Sequence, residues 1–119
     1  MRILIIEDDE RIVGYMKRGL EAENHEVEVA SDGQRGMDMG ELLPFDLILL
    51  DIFLPQKNGL EVCRYLRSRQ VTTPIFMMTA RDTVDSKKAG YSAGANEYLS
   101  KPFSFETLLN KMDKTFSAK

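Results

Sequence analysis

The sequence predicts an α/β fold: a doubly wound, five-stranded parallel sheet in the order 2-1-3-4-5, with helices on both faces in a three-layer sandwich. Three observations carry this expectation. Two short apolar runs, Leu47-Ile48-Leu49-Leu50 and Ile75-Phe76-Met77-Met78, lack polar alternation and so suit strands buried on both faces. Helical periodicity returns between the strand-like segments, with connections of only a few residues. Two half-polar strand segments, around Val27 and Tyr98, suit the sheet edges, which places the reversal of strand order between strands 1 and 3.

Strand 1 covers residues 3–6, an apolar stretch rich in β-branched side chains, and Glu7, Asp8 and Asp9 end it. Ile12, Val13, Tyr15, Met16 and Leu20 then recur at three- and four-residue spacing. They predict a helix to about Glu23, closed by Asn24 in the left-handed conformation. In strand 2, Val27 and Val29 alternate with Glu26 and Glu28, so one face is exposed; Ser31-Asp32-Gly33 turns the chain. Met37, Met39, Leu42 and Leu43 mark a less regular second helix ending at Pro44, with Gly36 and Gly40 counting against it. Strand 3, residues 47–50, runs into Asp51 and a turn-rich stretch from Pro55 to Gly59. Leu60, Val62, Cys63, Leu66 and Arg67 predict the third helix, which Val71-Thr72-Thr73-Pro74 terminates. Strand 4, residues 75–78, is followed by Thr79-Ala80-Arg81-Asp82. A fourth helix over residues 84–93 offers Val84, Ala89, Tyr91 and Ala93 and little else apolar. So sparse a face holds a helix loosely and leaves it able to move. Residues 96–100 form strand 5, closed by Lys101-Pro102-Phe103; Phe105, Leu108, Leu109, Met112 and Phe116 mark the last helix.

At 119 residues the chain is expected to be one domain, residues 1–119. Its 43% hydrophobic and 29% charged content is that of an ordinary globular protein, and a net charge of -3 offers no footing for direct nucleic-acid binding. No apolar run is long enough to span a membrane, and MRILIIEDDE has no signal-peptide pattern. Cys63, the only cysteine, excludes an internal disulfide and a multi-cysteine metal site, makes a cytoplasmic setting the expectation, and reads as a small buried hydrophobe. His25, the only histidine, opens an edge strand and reads as a surface residue.

The residues that end the strands carry the chemistry. Glu7 and Asp8 follow strand 1, Asp51 strand 3, Thr79 strand 4 and Lys101 strand 5, so all belong to one edge of the sheet, around the switch point. Each alone has a structural explanation as a cap, a turn residue or a solvated charge. Their coincidence favours a site. Unit charges about 4 Å apart repel by about 4 kcal/mol at an effective dielectric near 20, so three gathered carboxylates call for a cation. An open, oxygen-only donor set suits Mg²⁺, with Mn²⁺ as the alternative; Ca²⁺ would need a loop of the EF-hand type. Carboxylates, a divalent cation, a hydroxyl and an ammonium are also the parts that phosphoryl transfer requires, and Asp51 is the natural nucleophile.

Taken in order and spacing, IIEDD, LLDIFLPQKNG, MTA and YLSKPF resemble the response-regulator receiver domains of two-component signalling, over essentially the whole chain. The resemblance implies the flavodoxin-like (CheY-like) fold and a phosphoacceptor domain rather than a classical enzyme. In it Glu7, Asp8, Asp51 and the backbone carbonyl of Phe53 hold Mg²⁺, and Asp51 accepts the phosphoryl group from a sensor histidine kinase. Lys101 and Thr79 contact that group, Ala80 leaves access, and Asp9 starts a helix. It further implies that the domain assists its own phosphorylation and dephosphorylation, that Thr79 turns toward the phosphoryl oxygens, and that Tyr98 moves inward. The sequence is most similar to receivers of the winged-helix DNA-binding (OmpR/PhoB-type) regulators, which implies control of transcription and a homodimer through the helix 4/strand 5/helix 5 face. Lys87, Glu97 and Lys111 match parts of that face, whereas Thr107 stands where those receivers carry an acid. Phe53 and Arg81 resemble positions that tune dephosphorylation.

A phosphatase of the haloacid-dehalogenase type would need an acid where Phe53 stands, and Glu7-Asp8-Asp9 would repel the phosphate of a flavin. The rival reading is a phosphorylation-independent receiver that serves as an interaction scaffold. Both a stand-alone receiver and a piece of a longer regulator fit the sequence.

Overall fold

The protein is described by a computed structural model over residues 1–81 and 83–117. Five strands alternate with five helices: β1 (Arg2–Ile6), α1 (Glu10–Ala22), β2 (Glu26–Ala30), α2 (Gly33–Leu42), β3 (Leu47–Asp51), α3 (Gly59–Ser68), β4 (Ile75–Thr79), α4 (Val84–Ala93), β5 (Glu97–Ser100) and α5 (Phe105–Phe116). The strands form one parallel sheet in the order β2-β1-β3-β4-β5, as the sequence predicts. Register places Ile6 beside Ala30 and Leu50, and Asp51 beside Met78.

Alternation along the strands divides the core into two layers. Ile3, Ile5, Leu47, Leu49, Phe76, Met78 and Leu99 pack with Met16 and Leu20 of α1 and Leu108 and Met112 of α5. On the other face Leu4, Ile6, Ile48, Leu50 and Met77 meet Val62, Cys63 and Leu66 of α3 and Ala93 of α4. Every residue of β3 and β4 is buried, which explains their uninterrupted apolar runs. Each helix starts on a polar cap: Asp9, Asp32, Asn58, Thr83 and Ser104 accept a backbone N–H of the first turn, and Asn58 and Glu61 form a complete capping box. Asn24 takes the left-handed conformation after α1, with φ of 68°.

Two helices differ from their sequence patterns. In α2 the buried residues are Gly33, Gly36 and Gly40, while Leu42 is 76% exposed. The glycines give the closest approach, since a Cβ at Gly36 would stand 2.7 Å from the Ile6 side chain and one at Gly40 3.0 Å from Leu66, while Met37 and Met39 pack half-buried on the same core. In α4 only Gly90 and Ala93 are buried, and Val84 at its start is 69% exposed. Among the described residues no helix is long and apolar enough to cross a membrane.

Candidate functional site

Parallel strands deliver their last residues to one edge, and here that edge holds acid, hydroxyl and amine. β1 ends at Ile6, placing Glu7 at 1% exposure with Asp8 exposed beside it. Asp51, the last residue of the buried β3, is 5% exposed. Carboxylate oxygens of Glu7, Asp8 and Asp51 lie within 4.8 Å of one another. Lys101, just beyond β5, reaches across the sheet edge: its Nζ is 2.6 Å from Oε1 of Glu7 and 3.3 Å from Oδ1 of Asp51. The other oxygen of Glu7, Oε2, accepts the backbone N–H groups of Asp8 and Asp9 at 3.1 and 3.2 Å. Asp9 stands apart as the cap of α1, accepting the Arg11 N–H at 3.0 Å, and that N–H holds its carboxyl below the ordinary value.

Thr79 ends β4 fully buried, and its hydroxyl oxygen accepts the N–H of Arg81 at 3.1 Å. Tyr98, at the middle of β5, is buried, and its hydroxyl donates to the Arg81 carbonyl at 2.9 Å. The structure thus has Tyr98 in an inward position. Arg81 completes the link with its guanidinium 5.1 Å from the ring centre of Phe53, two residues beyond Asp51. Ala80, next to Thr79, is exposed and lines a groove of about 640 Å³ with Ile12, Tyr15, Lys101 and Phe103. On the sheet's far side His25 is half-buried just before β2, remote from this edge in strand order.

Burial is the first cause that raises the Asp51 carboxyl from 3.8 to about 7; the Glu7 charge adds to it, and Lys101 opposes both. Burial would lower the Lys101 ammonium, but the hydrogen bond to Glu7 and the charges of Asp51 and Glu7 outweigh it and hold it above 10.5. Three carboxylates against one ammonium leave an excess of negative charge on a partly buried edge. The donors are all oxygen, and exposed Asp8 keeps one side open to water, so the set fits a hard divalent cation of the Mg²⁺ kind.

Two residues named from the sequence make backbone contributions that the sequence does not show. Arg81 joins Thr79 and Tyr98 through its backbone, which no residue pattern reveals. Gly59 brings the start of α3 against the end of β3: its N–H meets the Ile52 carbonyl at 2.6 Å, and a Cβ there would lie 2.3 Å from the Asp51 carbonyl oxygen. A glycine after a turn-rich stretch is the only signal that could have pointed to it.

A doubly wound parallel sheet with an acid cluster and a lysine at its switch point is the architecture of a receiver. The chain belongs to the response regulator receiver domain family, whose model matches residues 3–113. It is 44% identical over 112 residues to the response regulator MprA of Mycobacterium avium, covering 94% of this chain and 49% of that protein. It is 42% identical over 111 residues to the response regulator ArlR of Staphylococcus saprophyticus, covering 93% of this chain and 50% of that protein. The chain therefore spans about half the length of the curated relatives it matches. Among solved structures, a CheY-like receiver domain protein of Methanospirillum hungatei superimposes with a TM-score of 0.89 at 32% identity, over 98% of this chain and 93% of that one. The receiver domain of a sensor histidine kinase of Pseudomonas aeruginosa, with a magnesium ion coordinated in its active-site cleft, gives a TM-score of 0.91 at 26% identity, over 98% of each chain.

Proposed function

We propose that this receiver domain accepts a phosphoryl group on Asp51 from a sensor histidine kinase in a reaction that requires Mg²⁺. The observation that carries the reading is the convergence of Glu7, Asp8, Asp51 and Lys101 at the switch point. Asp8 and Asp51, with Glu7 and the Phe53 carbonyl, would hold the cation, which would neutralise phosphoryl oxygens and the acid cluster; the magnesium in the related Pseudomonas receiver supports this. Mn²⁺ would satisfy the same oxygen donors.

A carboxylate oxygen of Asp51 forms the new P–O bond as the P–N bond to the donor imidazole breaks, and the departing nitrogen keeps that bond's electron pair. Lys101, already shared between Glu7 and Asp51, needs only a short shift to bond a phosphoryl oxygen. Thr79 accepts from Arg81 and so retains its own hydroxyl proton to donate to another. Hydrolysis of the acyl phosphate on the same residues returns Asp51 to its carboxylate, so the domain assists both directions without being a classical enzyme.

The Thr79–Arg81–Tyr98 bonds would carry the change to the α4–β5–α5 face, where Lys87 lies 5.7 Å from the centre of the Tyr98 ring and Lys111 pairs with Glu97 at 3.0 Å. That face is our choice for a homodimer contact, and transcription control through an output domain or partner is our choice of role, in a cytoplasmic setting. Neither membrane nor nucleic-acid contact is assigned to this domain.

Intact mass after incubation with acetyl phosphate and Mg²⁺ tests the reading. One added phosphoryl group, absent without the metal and absent in Asp51→Asn, is the expected result. No adduct from acetyl phosphate or from a phosphorylated kinase would put the scaffold reading ahead.

A further inference from the structure

α4 is attached very differently at its two ends. Its first turn follows the segment beyond Thr79 and is mostly exposed, Val84 at 69%, with Lys87 lying 5.7 Å from the centre of the Tyr98 ring. Its last turn is fastened from α3. Arg67, in the last turn of α3, donates through Nε to the carbonyl of Gly94, the residue that caps α4, at 3.0 Å. One terminal nitrogen of the guanidinium donates to the carbonyls of Val71 and Thr73, both at 2.8 Å, and the other to Oδ1 of Asn96 at 2.8 Å. That same oxygen of Asn96 accepts the N–H of Ile75 at 2.9 Å, and the Asn96 N–H returns to the Ile75 carbonyl at 2.8 Å. One planar cation therefore bonds the end of α4, the turn between α3 and β4, and the residue before β5, all through neutral oxygens.

The stem of Arg67 reinforces the attachment. Gly94 has φ of +113°, and a Cβ built on it would lie 2.7 Å from Cγ of Arg67, so the glycine lets the side chain lie directly on the helix end. The fastening stands at the sheet edge where β4 and β5 begin, opposite the edge that holds Asp51. We propose that Arg67 is the fixed pivot of α4, so that a change at Thr79 tilts the helix about Gly94 and does not slide it. Ten residues at about 1.5 Å rise put the first turn roughly 15 Å from that pivot, so a tilt of about 10° moves it roughly 2.5 Å and barely moves Ala93. The exposed side chains near the start of α4 then travel furthest, and those near Gly94 least. The fastening by Arg67 belongs to the resting chain and does not depend on the phosphoacceptor reading; the tilt that it guides rests on that reading.

Residue-resolved amide exchange on the full chain tests this, with Arg67→Met, which keeps the stem, and Arg67→Lys, whose single ammonium cannot reach all four oxygens. In the unsubstituted chain the N–H groups of Gly94, Ala95 and Asn96 should exchange at least about tenfold more slowly than those of Lys87 and Lys88. Both variants should speed exchange at residues 94–96 by about tenfold and leave residues 87–88 within about twofold. Equal protection along α4, or unchanged exchange at residues 94–96 in Arg67→Lys, overturns the pivot. With acetyl phosphate and Mg²⁺ added, amide chemical-shift changes within α4 should fall on residues 84–88 in the unsubstituted chain and spread to 94–96 in Arg67→Lys. A missing phosphoryl adduct by mass marks failure of the phosphoacceptor reading instead, and the exchange comparison still decides the pivot.

Discussion

Burial and the neighbouring Glu7 charge set the Asp51 carboxyl at about 7 against an ordinary 3.8, so its ionised form is costly in the folded, metal-free protein. The sign follows from linkage. Below about pH 3.8 the group is protonated in both states and costs nothing. As pH rises from there the unfolded chain releases its proton first, stability falls, and the full cost is present above about pH 7. That span corresponds to roughly 4 kcal/mol. Asp51→Asn is therefore expected to raise the unfolding free energy in the absence of metal by roughly 2–4 kcal/mol at pH 8 and to have no such effect near pH 3.5, measured by urea unfolding at both pH values. A gain that did not depend on pH would assign the strain to packing. The acids, Thr79 and Lys101 were legible because each ends a strand, and parallel strands bring their ends together. Which partner each chooses was not: Lys101 bonds Glu7 at 2.6 Å and Asp51 at 3.3 Å, a difference that strand order does not specify.

Individual elements were legible to the extent that apolar side chains mark their buried faces. β3 and β4 announce themselves because both faces are covered, and α1 because Met16 and Leu20 fall on one stripe. The pattern held only in part for α2: Met37 and Met39 pack on the core, but Leu42 and Leu43 do not, and the close approach to the sheet is made by glycines. Glycine spacing at 33, 36 and 40 is itself helical, but propensity argues the other way and conceals it. Gly36→Ala is expected to destabilise by roughly 1–3 kcal/mol, because the new methyl must displace Ile6 in a filled core, whereas Leu42→Lys should stay within about 0.5 kcal/mol. Thermal unfolding of the two variants checks the contrast; a reversed order would mean that the side of α2 facing the sheet is misassigned. The sparse burial of α4 was legible from its few apolar residues, while its fastening was not, since the Arg67 guanidinium bonds backbone oxygens and an amide side chain far along the chain.

At the scale of the whole molecule, the acid cluster sets a folding cost that a bound cation would remove. The sheet's two core layers are apolar, whereas the switch point gathers Glu7, Asp8 and Asp51 against Lys101. A cation that binds only the folded chain stabilises it by about 2.7 kcal/mol at a hundredfold excess over its dissociation constant. For a domain of this size that is a rise in Tm on the order of 10 °C. Mg²⁺ is expected to produce such a rise in the unsubstituted chain. Asp8→Asn should largely abolish it while leaving the metal-free Tm within a few degrees, because Asp8 is exposed. The same variant should lose phosphorylation by acetyl phosphate, since the two effects depend on one set of oxygens. Scanning calorimetry with and without Mg²⁺, read beside the intact mass, separates the outcomes. Phosphorylation that survived in Asp8→Asn, or a Mg²⁺ shift that survived there, would place the cation away from this cluster and leave Lys101 as the principal partner of the buried acids.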